Sequence, residues 1–393
     1  MKMAIFDKPE QNKQFVLSYG AFMINGMLAL SIGALMPFIR DARGLEYAFC
    51  GLLVSIHSVG NLVSSFAAGA LPLLIGRKRS ILFFNLFSVI AYLLILTADN
   101  NLLLLAALFM TGLARGAASN YCNAKINNLA PGKAWIINGL HAMFSIGAFL
   151  FPILLTLLTR EKEERWTYAC VFMLAMSIIS FVIYLVIPED QENVVKGAEK
   201  GSGAGFTKEP LFYLCTAALF FYLCAEQGVI GWMITYFKDT GLLSPSLSQI
   251  TASVLWIMIL TGRLTVAWLS TKIKKEKLLV VMGTCMAAFF ILLILSRSML
   301  WIMTGIMGFG YSMAGVYPTT VSFAGKIIQK YPIAWSIMLT SASLGSILMP
   351  TVIGRIAESA GIFYGMSSIA AALVIDLICI IGLSIYMGRQ GKE

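Results

Sequence analysis

Within the long apolar stretches of this 393-residue chain few side chains can carry charge, the clearest being Glu226, Asp376, Arg115 and Arg263, with His57 and His141 as titratable neutrals. A charge at a bilayer centre costs about 2.5–3.5 kcal/mol even on lenient insertion scales, so a residue retained there is a candidate for function. Glu226 is the strongest. A carboxyl in a low-dielectric wall can hold a proton and release it when water arrives, which is the chemistry of proton coupling. The same group can instead tie two helices together, protonated or paired with an arginine.

Arg115, Ser119 and Asn123 fall at i, i+4 and i+8, so they share one face of a helix, with Asn120 one step round. Guanidinium, hydroxyl and amide groups there can hydrogen-bond a polyol or clamp a carboxylate, or act only as glue between helices. His57 and Asn61 share a face in the same way, as do Asn138, His141 and Ser145. Asn25 in the first stretch and Gln227 beside Glu226 add to the polar inventory. Trp232, Trp256, Tyr311 and Tyr317 can stack on the apolar face of a sugar, though aromatics also anchor helix ends at membrane interfaces. Arg263, shortly before Lys272, Lys274, Lys275 and Lys277, suits a gate-stabilising role. Asp376 suits pairing with a neighbour or a contact between chains, with a role in transport as the alternative.

These residues ride on twelve apolar stretches, at about 15 to 39, 47 to 75, 80 to 98, 101 to 129, 135 to 158, 166 to 187, 210 to 237, 246 to 271, 278 to 296, 299 to 325, 333 to 354 and 362 to 387. The chain is 59% hydrophobic and 12% charged, against roughly 45–50% and about 25% for a soluble domain. Unpaired backbone amides cost several kcal/mol in hydrocarbon, so spans of this length must be helices. The expectation is an all-α polytopic membrane protein with twelve transmembrane helices. Its seven cysteines show no CxxC or His-rich spacing, which predicts buried small hydrophobes and no metal site. The net charge of +10 reflects topology: with the N-terminus taken as cytoplasmic, nineteen of the 29 Lys and Arg fall on inner segments and eight on outer links. Both ends are therefore expected inside, and nucleic acid is not expected as a partner.

The stretches divide into two sixes at a charged, glycine-rich segment, giving bundles at 1–187 and 210–393 and a cytoplasmic linker at 188–209. The halves repeat. Ser145, Gly147 and Pro152 recur as Ser343, Gly345 and Pro350, each displaced by 198 residues. Small residues allow close helix approach and prolines allow bending, which suits helices that rock on one another.

Two homologous six-helix halves joined by a linker resemble the major facilitator superfamily of transporters. Its signature after the second span, Gly-x-Leu-x-Asp-Arg-x-Gly-Arg-Lys, is matched by Gly69, Leu71, Gly76, Arg77 and Lys78, but Leu73 and Leu74 occupy the Asp and Arg positions. Tyr222, Ala225, Glu226, Trp232 and Tyr236 resemble the seventh helix of the fucose/glucose–proton symporter branch. Trp256, Gly262, Arg263 and Leu264, with Lys277 and Leu278, are similar to its eighth helix and the link that follows. Asn138, His141 and Gly147 resemble its fifth helix, and Asn123 its fourth. The acidic residues taken to carry protons in the first half of that branch are here Ser119 and, approximately, Gly33.

The resemblance implies a secondary transporter that moves a small polar solute, above all a monosaccharide, by alternating access at a midplane site. Substrate contacts would come from Asn25, His57, Asn61, Arg115, Ser119, Asn120, Asn123, Asn138, His141, Gln227, Trp232, Trp256 and Tyr311. Glu226 would couple the proton, and Gly69, Gly76, Arg77, Lys78 and Arg263 would serve gating or structure. No Gly-x4-Gly-Lys-Ser/Thr loop is present for ATP, so energy would come from an ion gradient, with H+ preferred to Na+ because a sodium site needs several convergent oxygens. Uncoupled uniport and export of drug-like or organic anionic compounds are the alternatives. Paired acids, a His-Glu-x-x-His helix and a Ser-Lys dyad near a membrane surface are all lacking, which argues against an enzyme. No cofactor is expected, and the protein is read as a plasma-membrane monomer whose partners are its solute and lipid.

Overall fold

The computed structural model describes residues 6, 8–130, 133–188 and 204–390. Most of the linker at 188–209 therefore lies outside the described residues. Six long helices make up the first half: α1 (Pro9–Arg43), α2 (Tyr47–Ile75), α3 (Arg77–Thr97), α4 (Asn101–Leu129), α5 (Ala134–Thr159) and α6 (Trp166–Val186). The second half contains α7 (Pro210–Asp239), α8 (Pro245–Leu269), α9 (Lys275–Leu295), α10 (Met299–Met313), α11 (Val316–Lys330), α12 (Pro332–Ala360), α13 (Ile362–Ser367) and α14 (Ile369–Gln390). No strand occurs among the described residues. Among the described residues twelve spans are long and apolar enough to cross a membrane, matching the twelve expected stretches.

Local chemistry sets the boundaries. The Asn100 side chain accepts the Leu103 N–H at 2.9 Å and starts α4, and Ser244 accepts from Leu247 at 3.3 Å ahead of Pro245 at the start of α8. Gly76 adopts φ 86° between α2 and α3, a conformation other residues rarely take, so this signature glycine is a turn element. The stretch at 299–325 differs from expectation. It is interrupted at Ala314 and Gly315, where Met282 and Val266 crowd the Gly315 backbone too closely for a side chain.

Two compact units are formed, one from Met1–Phe38 with Ile56–Val194 and the other from Ile39–Ser55 with Val195–Glu393. The segment 39–55, which the sequence division assigns to the first bundle, packs in the second unit.

Each unit repeats the same internal packing. In the first, a Cβ on Gly147 of α5 would overlap the Met23 carbonyl of α1, and one on Gly112 of α4 would overlap the His57 carbonyl of α2. In the second, Gly345 of α12 lies against the Phe220 carbonyl of α7, and Gly310 of α10 against the Leu255 carbonyl of α8. From Gly112 to Gly310 and from His57 to Leu255 the displacement is 198 residues, the spacing of the sequence repeat. The duplication is thus carried by backbone-to-backbone crossings that only glycine permits.

Candidate transport site

In the first unit, Asn25 of α1 donates its side-chain amide to Ser119 Oγ of α4 at 3.1 Å. Asn123 turns back on its own helix and donates to the Ser119 carbonyl at 2.8 Å, while Asn120 is exposed. Arg115, one turn before Ser119, is half-buried and within electrostatic reach of His57. His57 itself is buried, its Nδ1 hydrogen-bonded to Thr111 Oγ1 at 2.8 Å, so its ring serves the α2–α4 contact. Asn61 is half-buried on the same face of α2. On α5, His141 is half-buried with its ring edge-on to Phe22 at 5.5 Å, and Asn138 is exposed.

Beside Asn25 lies a cavity of about 10 Å³ whose polar wall is Asn25, Asn85, Ser88, Ser177 and Ser180. That is room for about one water, so a monosaccharide cannot lie within it.

In the second unit, Glu226 of α7 is half-buried and accepts the Tyr222 O–H at 3.1 Å, one helical turn earlier. Gln227 is half-buried beside it, and Tyr317 stacks obliquely on Tyr222 at 5.9 Å. Trp256 is buried in α8, whereas Tyr311 and Arg263 are exposed. Trp232 departs from the sequence expectation: it is 0% exposed and its indole N–H donates to the Pro350 carbonyl at 3.2 Å. It is committed to packing α7 on α12 and has no ring face to offer a sugar. Asp376 departs too, being wholly buried with neither carboxylate oxygen partnered among the described residues, which fits neither a helix pair nor a contact between chains.

The signature segment also takes shape here. Lys78 Nζ reaches the Ile187 carbonyl at 3.5 Å, and Lys125 Nζ and Gln14 Nε2 donate to the Pro188 carbonyl at 3.0 and 3.1 Å. Cations satisfy the carbonyls at the C-terminal end of α6 and oppose its dipole. Arg77 is half-buried in the first turn of α3, and the surroundings of Gly69 lie outside the described residues.

A charge cluster in the second unit was not singled out from sequence. Arg40, in the last turn of α1, makes a bidentate pair with Asp239 at the end of α7 and stacks over the Tyr47 ring at 4.7 Å. The Tyr47 hydroxyl donates to Asp239 at 2.8 Å, and Lys238 pairs with Asp41 at 3.0 Å. Glu358 of α12 accepts the Tyr47 backbone N–H at 2.7 Å, placing a carboxylate at the N-terminus of α2. The available signal was opposite charge at the matching ends of the first and seventh spans. Among the described residues no cluster of three or more His, Cys, Asp or Glu side chains is placed to hold a metal ion.

The major facilitator superfamily model matches residues 17–350. The chain belongs to that superfamily. It is similar to the glucose/mannose transporter GlcP of Bacillus subtilis, 22% identical over 397 residues and 96% of both chains. At the same 22% identity it is similar to a TsgA homologue of Yersinia enterocolitica, over 93% of both chains. Among solved structures, a bacterial homologue of the human lysosomal transporter Spinster shares the fold with a TM-score of 0.79 at 16% identity, covering 96% of this chain and 98% of that one. Membership makes the protein a multi-pass membrane transporter and not an enzyme.

Proposed function

We propose that this transporter carries a monosaccharide or closely related polar solute across the plasma membrane, driven by a proton gradient, with both termini cytoplasmic. The carrying observation is the Tyr222–Glu226 pair on α7, a carboxyl set in an apolar helix with a hydroxyl partner able to follow its protonation. The full-length similarity to a glucose/mannose transporter supports the solute class. Asn25, Arg115 and Ser119 supply hydrogen-bonding groups in the first unit of the kind a polyol requires. In this reading the protein needs no cofactor and works as a monomer.

The test is uptake of labelled glucose and mannose by proteoliposomes with an imposed pH gradient. Wild type accumulates sugar, whereas Glu226→Gln keeps counterflow and loses accumulation. Unimpaired accumulation in that variant assigns Glu226 to structure. A second reading, movement of an organic anion, is favoured by Arg115 on the polar face of α4. Anion transport without sugar uptake would establish it instead.

A further inference from the structure

α14 packs on α7 and α9, and its buried stripe runs through Ile369, Leu373, Asp376, Ile380 and Leu383. Four of these five are aliphatic, so Asp376 occupies a core position at 0% exposure. A carboxylate used as structural glue is paired, because an unpaired buried ion costs far more than its burial returns. Asp376 has no such partner: neither oxygen is hydrogen-bonded among the described residues. Among the described residues no cation stands beside it on the helices it packs against, while Arg263 of α8, which is exposed, acts on Tyr222. On α7 the nearest titratable groups are Tyr222 and Cys224, with Glu226 a turn beyond, and on α14 itself Cys379. α9 offers Cys285 in its middle and has Lys275, Glu276 and Lys277 only in its first turn, while α13 offers Tyr364. Lys238 and Arg389 stand in the last turns of α7 and α14.

We propose that Asp376 is a second proton-binding site, held as the neutral acid in the packed state and joined to Glu226 through Tyr222. Tyr222 is the link because its hydroxyl already donates to Glu226 and lies within electrostatic reach of Asp376. A charge appearing on either carboxyl disfavours a charge on the other. Loss of the Asp376 proton therefore requires α14 to part from α7 enough to admit water, which ties the proton to helix movement. The inference rests on the proton-coupled reading above, but its chemistry can be tested without transport.

A membrane-permeable carbodiimide reacts with a protonated carboxyl in an apolar site: the acid O–H adds across one C=N bond to give an O-acylisourea. Acyl transfer from oxygen to nitrogen then leaves a stable N-acylurea, with no leaving group. Purified full-length protein is treated with dicyclohexylcarbodiimide, and the Asp376 peptide is followed by mass spectrometry. Labelling is expected in wild type and absent at that position in Asp376→Asn. It is expected to fall as pH rises through the titration of the carboxyl, and to extend to higher pH in wild type than in Glu226→Gln. No labelling at any pH, or labelling indifferent to pH and to Glu226→Gln, overturns the proposal. Proteoliposome uptake separates the two readings. If wild type shows no proton-driven uptake while the pH-dependent labelling holds, the coupling reading falls and the Asp376 site stands.

Discussion

Where the ends of α1 and α2 pack against α7 and α12, carboxylates face cations; where α2 turns into α3, cations donate to carbonyls. The first region joins residues almost two hundred positions apart, as Arg40 with Asp239. The second stays inside the first unit, with Lys78 and Lys125 on the carbonyls of Ile187 and Pro188. Carbonyls at a helix end must be satisfied in every state, so those contacts are scaffold. An ion pair between separately solvatable groups can be broken and remade, each partner finding water when apart. The charged cluster thus has the character of a latch.

The sharpest way to break this contrast is to remove one side of the ion pair. A bidentate charge-assisted contact, largely shielded from solvent, contributes about 1.5–3 kcal/mol, so Arg40→Ala or Asp239→Ala should raise local opening by about tenfold or more. Cys50, at 0% exposure in the first turn of α2, is a built-in reporter. Maleimide labelling of the Cys50 peptide, read by mass spectrometry, should rise in either variant and return toward wild type in the reversed pair Arg40→Asp with Asp239→Arg. Unchanged labelling in the single variants would remove the latch from the account.

The latch also marks where sequence reading stops. Twelve spans and the 198-residue repeat were legible because hydropathy and glycine spacing are local in sequence, and the crossings at Gly112 and Gly310 repeat that spacing in space. The pairing of Arg40 with Asp239 is not local. In the sequence Arg40 is one more cation on an outer link and Asp239 carries no mark of its own, and only the fold brings them together. Trp232 failed for the opposite reason, since an aromatic at the right helical position looks the same whether it faces a cavity or the Pro350 carbonyl. Asn25 with Ser119 was readable as shared polarity of two helices, but not as a hydrogen bond.

A smaller effect is expected at the scaffold end. Lys125→Met keeps the aliphatic stem but removes the donor to the Pro188 carbonyl, at a cost of about 1–1.5 kcal/mol. A lowered thermal midpoint with wild-type labelling of Cys50 would fit a scaffold contact. Increased Cys50 labelling would instead show that the two ends are coupled, and the contrast would dissolve.

The smallest effect concerns the two leucines that replace the family's charged pair. Leu73 and Leu74 are 61% and 81% exposed, so neither fills a core that a charge would disrupt. Gly76, with its φ of 86°, turns the chain between them and Arg77, so a carboxylate at position 73 would lack the continuous helix that pairs side chains four residues apart. Restoring the family pattern with Leu73→Asp and Leu74→Arg should therefore change stability by less than about 0.5 kcal/mol, as for most exposed substitutions, and leave Cys50 labelling as it was. A marked stabilisation, or a shift in Cys50 accessibility, would mean that partners for those charges persist elsewhere in the protein. The basic end would then be a latch that lost its acid, and its difference from the Arg40–Asp239 end would be one of history, not of design.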